Sequence, residues 1–238
     1  MRGRVVALEG PSAAGKTATA QRWAARGHGV AIAEAYARLR PRPSLALGSP
    51  AHLRALELAL LREDARRLRA ARRRAAAGST VLLDTGALGP LTYTAGLVRL
   101  GAADPRLLDR LLREAAALRG RGGWSLPDAV VFLETPVAER RRRAALDPAH
   151  HPAPLRSRHA RVGAWEARFY RSTLAPLLGR RFLRVAGRGP PDEVAERVAA
   201  AIARGPASRT PPALELRVLA ALARVGARAR RPRPRGNS

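Results

Sequence analysis

Residues 10–17, GPSAAGKT, have the types and spacing that suit the binding of phosphate groups. They fit the pattern G-x-x-x-x-G-K-[ST], in which glycines let the backbone turn its N–H groups inward around phosphate oxygens. Lys16 in this stretch is the only lysine among 45 basic residues, and the others are arginine. A compact ammonium fits a tight loop beside phosphates where a planar guanidinium does not, so this position indicates a phosphate-binding lysine.

The same stretch supplies the other groups that an ATP-binding loop requires. We expect Lys16 to reach the β- and γ-phosphates as a catalytic residue, and the Thr17 hydroxyl to hold Mg²⁺. The N-terminus of the following helix adds about half a positive charge. The residues expected to bind ATP are Gly10, Ser12, Ala13, Ala14, Gly15, Lys16, Thr17 and Ala18.

Carboxylates follow the short apolar runs of the chain, and three of them are candidate site residues: Glu9, Glu34 and Asp84. Ligands of parallel sheets bind beyond the carboxyl ends of the strands, so these side chains are expected to share one edge. Asp84 is predicted to be catalytic, either holding Mg²⁺ or orienting an acceptor hydroxyl. Glu34 is a second catalytic candidate, with a helix-capping or a solvated carboxylate as the alternative. Glu9 either binds substrate or braces the phosphate-binding loop. Glu134 is expected to be structural.

An arginine-rich segment at about 140–158 is expected to close over the site as a lid. Arg140 and Arg143 are three residues apart and share a helix face. From this face their guanidinium groups are expected to act in catalysis, by stabilising charge on a transferred phosphoryl group. Arg156 and Arg158 follow a Pro- and His-rich loop and are expected to bind substrate. Tyr93 is expected to stack on a base or to pack in the core.

The elements that must position these residues alternate between short apolar strands and helices. Strands are predicted at 5–8, 30–33, 80–83, 129–133 and 182–185. Helices are predicted at 15–25, 53–77, 104–118, 137–146, 158–177 and 191–203, with a further short helix within 84–101. This alternation implies right-handed crossovers. It predicts an α/β P-loop NTPase three-layer fold, with a five-stranded parallel sheet, helices on both faces and a helical lid.

A change in composition near Gly205 predicts the domain organisation. Residues 1–205 are expected to form the P-loop domain. Residues 206–238 hold eight arginines and one glutamate, and their Pro- and Arg-rich ends predict a basic, partly disordered tail. The alternative is one amphipathic helix that docks on the domain or on an anionic surface, with an apolar face of Leu214, Val218, Leu222 and Val225.

Composition excludes several classes of protein. The chain has no cysteine, which excludes disulfides, zinc–thiolate sites and thiol catalysis and makes a reducing cytoplasm the expected location. No run of about 18 apolar residues is present, so no membrane span is predicted. A Ras-type GTPase is also excluded, because it recognises guanine with the motif N-K-x-D and this would need a second lysine. The formal net charge of +27 reflects either a chain-wide arginine bias or a nucleic-acid partner, and we favour the bias.

Residues 4–204 resemble the thymidylate kinase group of P-loop nucleoside and nucleotide kinases in the order of their elements. LEGPSAAGKTAT is similar to the family's opening E-G-x-x-G-x-G-K-T-T, with Ala13 in place of a glycine. PDAVVFLETPVAERRRR resembles its fourth strand and following helix, and RVAGRGPPDEVAERVAAAI resembles its last strand and helix. Asp84 and Tyr93 are nine residues apart, as Asp and Tyr are in the family.

The resemblance implies an ATP-dependent small-molecule kinase that transfers the γ-phosphoryl group of Mg·ATP to a nucleotide or nucleoside. Thr85 and Thr94 stand where the family has an arginine and a glutamine that help to hold the acceptor, which leaves the acceptor open. The alternatives are a kinase with another acceptor (a polynucleotide 5′-end, an antibiotic or a metabolite) or a non-catalytic ATP-binding module that binds nucleic acid. The expected partner is a small-molecule acceptor, and a homodimer is allowed.

Overall fold

A five-stranded parallel sheet forms the centre of the protein, in a computed structural model that describes residues 3–44, 49–147, 153–206 and 208–230. The strands are β1 (Arg4–Glu9), β2 (Val30–Ile32), β3 (Thr80–Asp84), β4 (Ala129–Glu134) and β5 (Phe182–Ala186). Their order is β2-β3-β1-β4-β5, and every pairing is parallel. The predicted fold class is therefore confirmed.

The phosphate-binding stretch follows the central strand of this sheet. Residues 5–8 of β1 are apolar on both faces and fully buried, which is what a strand covered by helices on both sides requires. Leu8 pairs with Asp84 of β3, and Glu9 pairs with Phe132 of β4. The register therefore places Glu9 and Asp84 at the same edge of the sheet, with their side chains on opposite faces.

Helices cover both faces of the sheet. Those of the described residues are α1 (Lys16–Ala25), α2 (Ala35–Arg38), α3 (Pro50–Ala76), α4 (Gly89–Arg99), α5 (Pro105–Gly120), α6 (Val137–Leu146), α7 (Ala153–Phe169), α8 (Ala175–Leu178), α9 (Pro191–Arg204) and α10 (Pro212–Arg230). Helices α1 and α9 pack on one face, while α3, α4, α5 and α7 pack on the other. Within the described ranges, no helix is both long and apolar enough to cross a membrane.

The helix predicted at 158–177 differs from the observed one in where it begins and in how its last turns are wound. Helix α7 begins earlier, at Ala153, and its last turns change to a π-helix over Tyr170–Leu174 before α8. Tyr170 and Leu174 are both buried in this π-helical segment. Such wider turns are rare and re-aim side chains, so a simple periodic pattern could not predict this one. Residues 148–152 of the predicted lid lie outside the described residues.

Much of the segment after residue 205, which was predicted to be a partly disordered tail, is helical. Residues 212–230 form α10, which packs against α4 and α5 with Val218 and Leu222 fully buried. The Glu215 carboxylate accepts hydrogen bonds from Arg119 Nε (2.8 Å) and from the Leu126 backbone N–H (3.2 Å). The described part of the tail is thus the docked amphipathic helix, which was the alternative. Residues 231–238 lie outside the described ranges.

Truncation of the apolar face of α10 should destabilise the whole protein. Leu222→Ala removes a fully buried side chain and leaves a cavity, which should lower the free energy of unfolding by about 3 kcal/mol. Leu216→Ala on the same helix is the control, because Leu216 is 53% exposed, and it should change that energy by less than about 0.5 kcal/mol. Equal denaturant midpoints for the two variants would show that α10 does not belong to the cooperative core.

Candidate active site

The loop between β1 and α1 wraps around the side chain of Lys16. Its Nζ donates hydrogen bonds to the backbone carbonyls of Gly10 (2.9 Å) and Pro11 (3.2 Å). Gly10 and Gly15 have φ angles of 150° and 95°, which glycine adopts without strain. No side chain caps α1 and its first turn has no acidic residue, so the positive end of the helix faces the loop uncompensated.

Ala13 occupies the position where the resembling family has a glycine. Its φ of 60° is left-handed, a conformation that costs an alanine about 1 kcal/mol relative to the usual backbone regions. The loop therefore keeps the backbone shape that a glycine would favour, although the residue has changed. Ala13 is held in that conformation because the backbone of the next residue, Ala14, makes three hydrogen bonds.

The backbone of Ala14 connects the loop to two other segments. Its N–H donates to Pro11 O (3.1 Å), while its carbonyl accepts from Thr135 Oγ1 (2.9 Å) and Arg143 Nη1 (2.9 Å). Arg143 also donates to Glu139 (2.7 Å) and to the carbonyl of Gly187 (3.1 Å). Arg143 thus connects the loop, α6 and the segment after β5.

A cavity of about 240 Å³ opens beside the loop at the carboxyl edge of β1, β2 and β3. It brings together five residues that the sequence singled out, namely Gly10, Ser12, Lys16, Glu34 and Tyr93, with Glu9 at its base. Tyr93 meets the ring of His159 edge-on at 6.0 Å. The cavity also includes acidic residues that sequence reasoning missed: Glu57 and Asp64 of α3 and Glu166 of α7.

Glu9 braces the turn after β3 rather than the phosphate-binding loop. It is 3% exposed, and its Oε1 accepts a hydrogen bond from the Gly86 backbone N–H at 3.0 Å. Burial raises the pKa of Glu9 to about 7, although the Lys16 charge and the Gly86 hydrogen bond favour the ionised form. Glu9 therefore changes its protonation near neutral pH.

Glu34 lies at the mouth of the cavity, half-buried, at the N-terminal boundary of α2. Its side chain makes no capping hydrogen bond to that helix, so the helix-cap alternative is not what the structure shows. The carboxylate faces the cavity that Lys16 also lines. Glu34 is thus placed where it can meet the hydroxyl of a bound molecule.

Asp84 ends β3 on the opposite face of the sheet from the Glu9 cavity. Leu82, two residues earlier, packs against Ala20 and Trp23 of α1, and the alternation of side chains places Asp84 on the same face. Asp84 is 2% exposed, and its Oδ1 is buried without a hydrogen-bond partner among the described residues. A buried carboxylate oxygen without a donor is unfavourable, and a cation bound nearby would relieve that cost.

Arg67 of α3 ties the ends of β2 and β3 together. It is 1% exposed and donates to the backbone carbonyls of Ile32 (3.2 Å), Asp84 (2.7 Å) and Thr85 (3.0 Å), and to the carboxylate of Asp64. These bonds hold Thr85 at a φ of 59°, which is unusual for a β-branched residue. The resembling family has an arginine at the position of Thr85. Here Arg67 of α3 lies at the same edge of the sheet instead.

The signal that could have identified these residues is the apolar stripe of α3. The spacing of Leu53, Leu56 and Leu60 places them on one helix face, and Glu57, Asp64 and Arg67 fall on the same face at spacings of three, four and seven. Charged residues inside an apolar stripe are rarely solvated. They indicate a buried polar network or a ligand site.

Replacement of Arg67 by methionine should lower the free energy of unfolding by about 3 kcal/mol. The change leaves a buried carboxylate and three backbone carbonyls without their donor. Arg66→Met is the matched control, because Arg66 is 63% exposed and its ion pair with Glu63 should contribute less than about 1 kcal/mol. Urea titration of both variants checks this, and an Arg67→Met midpoint equal to wild type would contradict it.

Three acidic side chains of the cavity, Glu9, Glu57 and Asp64, are buried, and a fourth, Glu166, is partly buried. Burial is the main cause in each case, and it raises the pKa of Glu57 to about 8 and those of Glu9, Asp64 and Glu166 to about 7. Glu166 also accepts a hydrogen bond from Thr92 Oγ1 (3.2 Å). Near pH 7 the cavity is therefore lined by carboxyl groups that are partly or mostly protonated.

These raised pKa values predict that the protein loses stability as pH rises. The folded state holds protons that the unfolded chain releases near its ordinary carboxyl pKa, so the stabilisation is complete below that pKa and disappears as pH passes 7 to 8. We expect the melting temperature to fall by at least about 4 °C between pH 6 and pH 9. Glu134→Gln, which alters a partly exposed carboxylate paired with Arg184, should keep the same slope. A melting temperature that stays level or rises over this range would contradict the account.

Three of the arginines predicted to act in a lid, Arg140, Arg156 and Arg158, lie in two different places. Arg140 is 6% exposed and donates to the carbonyl of Thr135 at 3.3 Å, and it shares with Arg156 a second cavity that includes Ser12 and Ala13 of the loop. Both guanidinium groups therefore lie beside the phosphate-binding loop. Arg158 lines a different groove, near the N-terminal ends of α3 and α5. Burial raises the pKa of Tyr93, and the charge of Arg158 opposes that rise only in part.

Comparison with known proteins identifies the fold. No family model and no curated protein matches the sequence. Among solved structures, deoxyadenosine kinase from M. mycoides with bound dATP has a TM-score of 0.66 and 12% identity, over 84% of this chain and 99% of that one. The same enzyme with the products dCMP and a flexible dCDP has a TM-score of 0.65 and 11% identity, over 84% and 98%. At this level of identity the likeness shows a shared fold, and the chemistry must be argued from the site.

Proposed function

We propose that the protein is a kinase that transfers the γ-phosphoryl group of Mg·ATP to a hydroxyl group of a nucleoside. The observation that carries this proposal is the position of Lys16. It lies between a loop whose backbone can surround phosphate groups and a cavity lined by carboxyl groups. The loop amides and Lys16 would hold the donor phosphates, while Arg140 and Arg156 lie beside the loop and can neutralise transferred charge. The fold shared with deoxyadenosine kinase supports this interpretation.

The cavity favours a nucleoside over a nucleoside monophosphate as the acceptor. Three of its acidic groups, Glu9, Glu57 and Asp64, are buried, and of the described residues that line it, the permanent cations are Lys16 and Arg67. Arg67 is already bound by backbone carbonyls and by Asp64. A phosphate on the acceptor would thus meet carboxyl groups with little cationic compensation, whereas sugar hydroxyls can donate to them.

Glu34 is the proposed acceptor of the hydroxyl proton. It lies at the cavity beside Lys16 and does not cap its own helix. As the acceptor oxygen bonds to the γ-phosphorus and the bond to the ADP oxygen breaks, the hydroxyl proton passes to the Glu34 carboxylate. ADP leaves with the electron pair of the broken bond, so the atoms and charges balance.

Mg²⁺ would be held between the donor phosphates, Thr17 and Asp84. Thr17 is exposed in the first turn of α1, and Asp84 has a buried oxygen without a partner on the face that α1 covers. These oxygen donors are the type that Mg²⁺ prefers. Bound there, the ion would neutralise phosphate charge. Among the described residues no group of three or more His, Cys, Asp or Glu is arranged to hold a metal, which fits an ion that arrives with the nucleotide.

A panel of acceptors tests the proposal. Purified protein with Mg·ATP should release ADP when nucleosides or deoxynucleosides are added, and release little with their monophosphates. Turnover with monophosphates alone would exclude the nucleoside assignment while keeping the kinase. The absence of ADP release with every nucleoside, nucleotide, sugar and polynucleotide 5′-end of the panel would exclude the kinase itself.

A further inference from the structure

A groove separate from the active-site cavity has a volume of about 1180 Å³ and is lined by five arginines. It lies where α3 and α5 begin, with α7 beside it. Among the described residues that line it, Asp104 is the one acidic side chain. We call this the arginine groove, and its arginines are Arg54 of α3, Arg106, Arg110 and Arg113 of α5, and Arg158 of α7.

The acidic residues near the arginine groove are already engaged by other groups. Asp104 caps α5, where its Oδ1 accepts a hydrogen bond from the Arg106 backbone N–H at 2.8 Å. The two acids within α5, Asp109 and Glu114, form ion pairs with arginines of α10 and α3. Within the described ranges, none of the five guanidinium groups of the groove forms an ion pair. The groove therefore carries an excess of positive charge that the protein itself does not neutralise.

Three of these arginines form a single stripe along α5. Arg106, Arg110 and Arg113 are spaced by four and three residues, which places them on one helix face about 6 and 4.5 Å apart along its axis. All three are exposed, and like charges at these spacings repel each other. A chain-wide arginine bias would scatter arginines over the surface. It does not explain why arginines of three helices face one groove.

Arg158 has a buried donor that an anion in the groove could satisfy. Its Nη1 is buried and has no hydrogen-bond partner among the described residues. A guanidinium group stays charged at any pH of interest, and a buried charged donor without an acceptor is unfavourable. The first turn of α3, which also begins in the groove, contains no acidic residue, so the positive end of that helix adds to the attraction for an anion.

We propose that the arginine groove binds the phosphate backbone of a single-stranded nucleic acid. Guanidinium groups bind phosphate oxygens through two parallel hydrogen bonds, and a row of them suits a ligand with repeated phosphates. Of the described residues that line the groove, none is aromatic, so the bases have no stacking platform. We therefore expect binding without sequence preference. This inference does not depend on the kinase proposed above.

The shape and the lining of the groove favour a nucleic-acid strand over a membrane or an acidic protein. A lipid surface is flat and would meet only the rim of a concave site. Protein partners usually need apolar anchors in desolvated pockets, whereas the two leucines of the groove, Leu53 and Leu107, are buried in the core. The groove thus presents charge with little apolar surface to anchor a partner, as phosphate contacts require.

Fluorescence anisotropy with a labelled 12-nucleotide single strand and the full chain tests the site. Each phosphate contact to a single strand contributes about 0.7 to the slope of log affinity against log salt concentration. The combined replacement of Arg106, Arg110 and Arg113 by serine should therefore lower that slope by about 2. Affinity should fall about 100-fold at 0.1 M salt and about tenfold at 0.3 M. A loss of less than threefold at 0.1 M would overturn the inference.

The matched control removes the same charge from another helix. Arg217, Arg224 and Arg228 are exposed residues of α10, and their combined replacement by serine should leave affinity within about threefold of wild type. Both triple variants should melt within about 2 °C of wild type. Equal losses of affinity in the two variants would show that binding follows net charge alone and would overturn the inference.

A single charge reversal keeps the test valid if the triple variant folds poorly. Arg110→Glu should weaken binding about 20-fold at 0.1 M salt, because it removes one phosphate contact and adds a repulsion. Arg110→Lys should stay within about threefold of wild type, since an ammonium also binds phosphate as a point charge. Equal affinities of the glutamate and lysine variants would contradict the proposed contact.

Competition at 0.1 M salt identifies the class of ligand. An unlabelled single strand should displace the label. A duplex of the same length, poly-glutamate, inorganic tripolyphosphate and phosphatidylserine vesicles should each require at least tenfold more charge equivalents. A competitor that displaces the strand as well as the strand displaces itself would assign the groove to that competitor and overturn the proposal.

Discussion

Replacement of Lys16 by alanine is expected to lower kcat for phosphoryl transfer about 10³-fold. The ammonium is held by the carbonyls of Gly10 and Pro11 at the centre of the loop, from which it can turn to the β- and γ-phosphates. No other lysine exists in the chain, and an arginine cannot enter the same tight loop. The affinity for ATP should weaken in parallel, because the lysine contacts the donor in the ground state as well.

The control for Lys16→Ala is a second loss of positive charge on the same helix. Arg22→Ala removes an exposed side chain of α1 whose ion pair with Asp192 is 3.9 Å long, and kcat should stay within about twofold of wild type. Both variants should melt within about 2 °C of wild type. If Lys16→Ala bound ATP as tightly as wild type and turned over within tenfold of it, the loop would not be the donor site.

Asp84→Asn is expected to lower kcat about 10²- to 10³-fold with little change in the KM of the acceptor. The amide keeps the shape of the side chain but removes the charge proposed to support Mg²⁺. Its stability should be equal to or higher than that of wild type, because the Asp84 Oδ1 is buried without a partner among the described residues. Steady-state kinetics over a Mg²⁺ titration measures the effect.

Glu134→Gln is the matched control for Asp84→Asn, because Glu134 also ends a strand of the sheet. Its carboxylate is occupied by Arg184 through two hydrogen bonds of 3.0 and 2.9 Å, away from the loop. We expect kcat to remain within about twofold of wild type. An Asp84→Asn enzyme indistinguishable from wild type at every Mg²⁺ concentration would place the metal elsewhere.

The sheet and the carboxylates at its edge could be predicted because their signals are local. Short apolar runs that alternate with helices imply parallel strands, and parallel strands bring Glu9 and Asp84 to one edge. The glycine and lysine spacing of the loop is also contained in eight consecutive residues. Each of these features depends on residue order rather than on how distant helices pack.

The acidic side of the cavity could not be predicted in the same way. Glu57 and Glu166 are more than 100 residues apart in the sequence, and only the packing of α3 and α7 around the sheet edge brings them to one cavity. The π-helical segment that holds Tyr170 there has no simple sequence signature. The apolar stripe of α3 contained part of this information, but a stripe does not identify what it faces.

The tail illustrates how composition can outweigh a correct pattern. The apolar face of Val218 and Leu222 was recognised, yet the Pro- and Arg-rich ends favoured disorder. The surface of α4 and α5 that buries this face is formed only in the folded protein. Burial of an apolar stripe against such a surface offsets the entropy of ordering the helix, which composition alone does not reveal.

The most direct test of the account is the detection of the phosphorylated product. Protein is incubated with Mg²⁺, ATP labelled in its γ-phosphate and deoxycytidine or deoxyadenosine, and the products are separated and quantified. The account predicts labelled nucleoside monophosphate formed in a one-to-one ratio with ADP, and its loss in Lys16→Ala. Label that appears only as inorganic phosphate, or remains in ATP with every nucleoside, would contradict the account.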